Sequence, residues 1–250
     1  VSDLVYFDSR IQANIAFKDF WQATEFYSSP KLLQKALLIK NEHWYQLFYD
    51  SHQKDGLQAA VELLKLLPEN ERDIKFASLP KELWIFVQNK WPKLHFNNHL
   101  ICKFPTQKIA PYPSIQPLEI SNIDYILQHQ KYTEEYGGKP YVQHRIESGM
   151  TLGYKANGNL VAWAFLHDDM SMGFLRVLPE YRQQNIATQL TANFVNKIIA
   201  EQQNAIAYIN KYNTASLKIA NNLQAEVIGE VSWIRLRTPE EIASYEKGIF

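Results

Sequence analysis

Between an extended run and a long helical run lies Leu175-Arg176-Val177-Leu178-Pro179-Glu180-Tyr181-Arg182-Gln183-Gln184-Asn185-Ile186-Ala187-Thr188. A strand that stops at a proline, turns, and starts a helix presents unsatisfied backbone N–H groups to whatever fills the turn. The helix dipole favours negative charge there, so the segment is suited to hold an anion. Ala187 is small enough for close backbone approach, Asn185 tolerates a left-handed backbone, and Arg182 adds a cation. On its own this pattern is also that of an ordinary helix start.

Other residues compete for chemistry. Asp168 and Asp169 are two carboxylates in a strand-to-strand connection, suited to proton abstraction or to turn formation. His167 precedes them and is a base near neutral pH or a strand-end cap. His95 and His99 stand four apart, but HFNNHLICKF looks extended and has no third ligand, so they read as surface or packing histidines. Cys102 sits in an apolar run and reads as a buried hydrophobe. Ser148 and Ser171 lack a nucleophile-elbow context. There is no phosphate-loop lysine and no dinucleotide fingerprint.

The wording of the 175–188 segment resembles the GCN5-related N-acetyltransferase (GNAT) superfamily, whose acyl-CoA loop reads Gln/Arg-x-x-Gly-x-Gly/Ala. Arg182, Asn185 and Ala187 occupy its three positions, and Val177-Leu178-Pro179-Glu180-Tyr181-Arg182 is similar to its approach. Val161-Ala-Trp163, Leu178-Pro-Glu-Tyr-Arg182 and Trp233 look most like the glycine N-acyltransferase group, whose N-terminal half resembles a worn copy of the same fold. The resemblance implies an α/β (α+β) GNAT fold: a mixed central sheet with flanking helices, preceded by a smaller mixed αβ domain.

It further implies an acyl-CoA-dependent N-acyltransferase, using acetyl-CoA or another acyl-CoA as co-substrate and no metal. The acyl group passes to a primary amine by direct attack in a ternary complex. The amides of Arg182, Gln183, Gln184, Asn185, Ile186, Ala187 and Thr188 would cradle the pyrophosphate, the backbone of Leu175 and Val177 would pair with pantetheine, and Asn213 would contact the cofactor or cap a helix. The superfamily's glutamate base falls on Ser171, and the tyrosine that protonates the leaving thiolate falls on Ala220. The site therefore departs from the pattern at both proton-transfer positions. Asp169 is the replacement base, ahead of Asp168, and Tyr212 the replacement acid, with Tyr208 as its alternative. The other reading is an acyl-CoA-binding regulatory or interaction module without efficient turnover.

These residues need elements to position them. Pro105, Pro111, Pro113 and Pro117 preclude regular structure and place a domain boundary, giving 1–110 and 111–250. In the first part Ile11–Tyr27 reads as an amphipathic helix, and a second helix follows Ser29-Pro30 with Leu32, Leu33, Ala36 and Leu37 as its stripe. His43–Tyr49 reads as a strand, Gly56–Leu67 as a helix, Asp73–Leu79 as extended, Lys81–Asn89 as helical and His95–Phe104 as extended. In the second, Ile115–Ile120 is a short strand, and Asn122–Lys131 and Val142–Glu147 are helices separated by Gly137-Gly138. The strands Thr151–Tyr154, Leu160–Leu166 and Met172–Val177 follow, the first pair joined by an Asn157-Gly158 hairpin. A long helix Gln183–Ala200, strand Ala205–Ile209, helix Thr214–Asn222, strand Glu226–Leu236 and a short tail helix after Thr238 complete the pattern.

With 250 residues, 46% hydrophobic and 21% charged, the chain can bury one or two cores. Lys plus Arg equals Asp plus Glu at 26 each, a balance that argues against nucleic-acid binding. One cysteine excludes an intramolecular disulfide and a thiolate zinc cage. No signal peptide or membrane span is read, so the expected compartment is the cytoplasm. The expected partner is a small-molecule or peptide amine. Trp21, Phe26, Tyr27, Trp44, Phe48 and Tyr49 read as core packing, with an acceptor pocket or homodimer face as their other use.

Overall fold

The computed structural model describes residues 25–27, 35–40, 44–49, 55–70, 72, 74–105, 115–131, 133–167, 171–200 and 204–246. They form two compact units. One gathers the residues up to Ile101 together with Ile209–Thr214 and those from Ile228 onward; the other holds Cys102–Tyr208 and Ala215–Val227.

In the first unit, strands β1 (Glu25–Tyr27), β2 (Ala36–Lys40) and β3 (Tyr45–Tyr49) form an antiparallel meander. Helix α1 (Gly56–Lys65) then carries the chain to β4 (Phe76–Pro80), which runs parallel to β3. A parallel neighbour requires such a crossover. Helix α2 (Trp84–Lys90) leads to β5 (His95–Lys103). The core comprises Leu38, Leu47, Leu63, Leu64, Phe76 and Trp91, all fully buried. The Trp91 indole donates to Pro68 O at 3.1 Å, so its one polar atom is satisfied inside that core. Lys90 Nζ donates to the carbonyls of Leu64, Lys65 and Leu67, closing the end of α1.

In the second unit, β6 (Ile115–Gln116), β7 (Thr151–Ala156), β8 (Asn159–Leu166) and β9 (Ser171–Val177) pair antiparallel in that order. Helices α3 (Ile123–His129) and α4 (Gly138–Glu147) precede the hairpins. Helix α5 (Ile186–Ala200) crosses to β10 (Ile206–Asn210), parallel to β9. Then follows α6 (Thr214–Asn222); β11 (Glu226–Arg235), which from Ile228 belongs to the first unit and pairs there antiparallel with β4, and α7 (Pro239–Glu246), also of the first unit, end the described chain. The sheet is mixed and helices flank it, the architecture expected. Along the chain the order β1-β2-β3-α1-β4-α2-β5 recurs as β7-β8-β9-α5-β10-α6-β11, each with a parallel pair after its first helix.

The hairpin at Asn157-Gly158 forms as expected, with φ of +51° and +80° at the two turn residues. Two helices read from the sequence, Ile11–Tyr27 and the one after Ser29-Pro30, are strand in the parts that are described, and 28–34 lies outside the described residues. Glu25–Tyr27 is a strand, and the remainder of 11–24 lies outside the described residues. Ala36–Lys40 is a strand because its apolar residues alternate between two cores. Ala36 and Leu38 enter the main cluster, while Leu37 and Ile39 pack with Phe48 on the opposite face. A short apolar run buried on both faces carries no period that separates strand from helix.

Candidate functional site

The site is built around β9. Its register against β8 runs from Leu166↔Met172 and Phe165↔Gly173, then shifts, so that the next pair is Trp163↔Arg176. Two residues, Phe174 and Leu175, therefore oppose one, and Phe174 takes φ +47°. Such a bulge twists a strand and interrupts its ladder. On the other edge, the parallel register with β10 covers Ser171↔Ile206 and Met172↔Ala207. The backbone around Leu175 is thus the stretch of β9 beyond that pairing.

Beyond Val177 the chain makes a 3₁₀ turn over Pro179–Tyr181, and Leu178 N–H donates to Val161 O at 3.0 Å. Arg182 is exposed and extended, and its Nε donates back to Val177 O at 3.2 Å. This bond ties the head of the loop to the strand end. Gln183 and Asn185 both take left-handed backbone, φ +61° and +62°. Asn185 was the residue expected to do so; Gln183 was not, and its conformation is the reason the helix begins at Ile186 rather than at Gln183. Gln189 N–H donates to Asn185 O at 3.1 Å, the first bond of the helix. The N–H groups of Ile186, Ala187 and Thr188 consequently have no intrahelical acceptor. No acidic residue stands in that first turn. Ile186 is buried and anchors it, followed by Leu190, Phe194, Val195 and Ile198 along the same face of α5.

Leu175, Val177 and the whole run Arg182–Thr188 therefore lie together in the second unit. Tyr212 and Asn213 belong to the first unit. There the Asn210 side chain organises their turn: its Oδ1 accepts from Tyr212 N–H at 2.8 Å, and its Nδ2 donates to Asn97 Oδ1 at 2.6 Å. Asn213 N–H donates to Asn210 O, and Asn213 directly precedes α6. Tyr212 is 46% exposed, with Lys211 Nζ 5.1 Å from its ring centre. Asp168 and Asp169 lie outside the described residues. Ser171 and Ala220, where the family resemblance locates base and acid, are both buried.

A second cluster in this unit was only partly foreseen. His167 is buried, Tyr141 Oη lies 2.7 Å from its Nδ1, and the Tyr136 ring stacks on it at 4.9 Å. Arg145, fully buried, donates from Nη2 to His167 O at 3.2 Å. His167 N–H donates to Ser171 O at 2.8 Å, closing the β8–β9 hairpin. The imidazole packs on the bare Cα of Gly173, where a Cβ would approach Nε2 to 2.2 Å. His167 is a strand-end brace, the capping use read from the sequence. Arg145 was missed, although Gly138, Tyr141, Val142, Arg145 and Ile146 form the buried stripe of α4 at helical spacing. That spacing alone flags a cation on an apolar face.

The remaining candidates are structural. His95 and His99 lie on β5, and His99 packs on Trp233 at 4.5 Å. Burial, with the Arg237 charge nearby, lowers its pKa to about 4 despite the bond that its Nδ1 makes to Asn97 O. Burial pushes the Cys102 thiol up to about 11, so it stays protonated and unreactive at neutral pH. No group of three or more potential metal ligands occurs among the described residues, and none of their helices is long and apolar enough to cross a membrane.

The segment 149–234, which runs from the start of β7 nearly to the end of β11, matches the family of FR47-like proteins. None of the curated proteins compared with the chain matches it. Among solved structures, a Drosophila protein is similar with a TM-score of 0.75 at 16% identity, covering 93% of this chain and 89% of that one. An acetyltransferase of the GNAT family from Colwellia psychrerythraea is similar with a TM-score of 0.56 at 16% identity, covering 93% of both chains. A GCN5-related N-acetyltransferase from Kribbella flavida gives 0.54 at 9% identity, over 94% and 98%. The fold is that of the GCN5-related N-acetyltransferases. The FR47-like match falls on the segment that holds the bulged strand and its loop.

Proposed function

We propose that this chain is an acyl-CoA-dependent N-acyltransferase that transfers an acyl group, from acetyl-CoA or another acyl-CoA, to a primary amine of a small molecule or peptide. The observation that carries the reading is the loop from Arg182 to Thr188: left-handed at Gln183 and Asn185, unsatisfied at the first amides of α5, and free of acidic side chains in that turn. Its amides would take the pyrophosphate, as helix N-termini take phosphates elsewhere. The backbone of Leu175 and Val177, beyond the β10 pairing, would accept pantetheine as an added strand. The Val177 carbonyl already receives Arg182 Nε, so the share of that pairing open at Val177 is its N–H or a second lone pair.

In the reaction the amine nitrogen attacks the thioester carbonyl carbon, the C–S bond breaks, and CoA leaves as a thiolate. The amine proton passes to a base and the thiolate gains one. Asp169 is the proposed base and Tyr212 the proposed acid, with Asn213 as a cofactor contact. Holding amine and thioester in one ternary complex supplies much of the acceleration. A second reading is favoured by burial of Ser171 and Ala220, which leaves the customary proton-transfer positions inert: a module that binds acyl-CoA without efficient turnover. Thiol release from acetyl-CoA across a panel of primary amines separates the two. Amine-dependent release supports the enzyme, and acyl-CoA binding without any release supports the module.

A further inference from the structure

With pyrophosphate at the amides that open α5, the pantetheine arm of an acyl-CoA runs back along β9 past Val177 and Leu175. It stops at Phe174, because toward the start of the strand both edges are taken. Phe165↔Gly173 and Leu166↔Met172 pair that stretch with β8, and Met172↔Ala207 pairs it with β10. The thioester, and the acyl group beyond it, thus come to rest at the bulge.

Both faces of the sheet are filled there. On β8, Val161, Trp163 and Phe165 alternate into the cluster built with Ile126 of α3 and Val142 of α4. On this face the Phe174 ring sits among four others, with centroids at 4.7 Å to His167, 5.1 Å to Tyr136, 5.5 Å to Phe165 and 6.3 Å to Tyr141. Tyr141 and Phe165 are fully buried, so the wall behind Phe174 is solid. Helix α5 packs along β8 and β9, and none of its residues joins that cluster, so it covers the opposite face with the fully buried Leu190 and Phe194. Of the five rings, Phe174 is the one carried by β9 itself, where it is half-buried. Its φ of +47° is one that a bulky side chain rarely takes, and such strain persists where the surroundings hold it.

We propose that Phe174 restricts the acyl donor to short chains: an acetyl group is accommodated at the bulge, whereas a long or aromatic acyl group collides with the Phe174 ring and the wall behind it. This rests on the acyltransfer reading and narrows its donor. Phe174 acts here on specificity, and proton transfer stays with other residues.

The test is calorimetry on the full chain with free CoA, acetyl-CoA, hexanoyl-CoA and benzoyl-CoA, which needs no knowledge of the amine. Wild type should bind acetyl-CoA about tenfold or more tightly than hexanoyl-CoA or benzoyl-CoA, the scale of forcing extra carbons into a packed interior. Phe174→Gly takes the positive φ without strain and vacates the ring, so the acetyl-to-hexanoyl affinity ratio should fall to within about threefold of one. Phe174→Leu, which keeps most of the packing, should lower the ratio part of the way, and it decides the matter should Phe174→Gly not fold. A flat series in wild type, or variants that weaken every acyl-CoA in proportion and leave the ratio unchanged, overturns the proposal; the second result would make Phe174 a packing residue only. Binding of neither free CoA nor acetyl-CoA by wild type overturns the acyltransfer reading, and the donor limit with it.

Discussion

Arg182 has two partners to serve. Its Nε holds Val177 O, and the rest of its guanidinium is exposed at the mouth of the loop. Arg182→Ala should weaken CoA binding by roughly tenfold, the scale of one charge-assisted contact, measured by titration. Gly173 makes a sharper structural case. A Cβ there would reach 2.2 Å from His167 Nε2, and the ring is held by Tyr141 and Tyr136, so it has little room to yield. Gly173→Ala should cost about 2 kcal/mol, read from denaturant unfolding, and a change below about 0.5 kcal/mol would refute the brace. His99 carries a pH signature. Its folded pKa, near 4, lies below the unfolded value of 6.5, so the unfolded chain binds more protons between them and stability falls as pH drops through that window. The loss from pH 7 to pH 4 should be about 2 kcal/mol from this group, allowing for the half-buried ring, and His99→Gln should flatten it.

The loop is a matter of element ends. A helix from Gln183 satisfied the apolar spacing, but two left-handed residues delay it to Ile186, and it is this delay that leaves three amides unpaired at the turn. Asn185→Val should damage both loop and binding, because a β-branched residue resists positive φ, whereas Asn185→Gly should retain CoA affinity within about twofold. Equal behaviour of the two variants would show that φ at this residue is immaterial. Legibility in the sequence followed the strength of local signals. The Asn157-Gly158 hairpin, Gly56–Lys65 and Thr214–Asn222 were readable because turn chemistry or amphipathic period marked them. Ala36–Lys40 was not, since what makes it a strand is burial between Phe48 on one face and the α1 core on the other. Of the candidate site, the strand–turn–helix order from Val177 to Thr188 and the left-handed Asn185 were legible, and the left-handed Gln183 was not. The bulge at Phe174 was not legible either, because it depends on register against β8, which no local pattern encodes.

For the whole molecule, the chain runs the same order of strands and helices twice, and of the two connections into the first helix of each run, 50–55 and 178–185, the sequence carries an arginine in the second alone. Between β9 and α5 stand Arg182 and the left-handed Asn185; at the matching place before α1 stands Asp55, ion-paired to Lys35. A carboxylate at a phosphate turn repels its ligand, so one CoA per chain is the expected stoichiometry. Catalysis is a separate question from binding, and Asp169→Asn should lower turnover by about tenfold or more while CoA affinity holds. The central claim is that the turn from Arg182 to Thr188 binds acyl-CoA. Isothermal titration of the folded protein with acetyl-CoA and with free CoA tests it most directly. The account predicts one site with micromolar affinity for both, weakened by Ala187→Glu; absence of binding to either by a protein shown to be folded would contradict it.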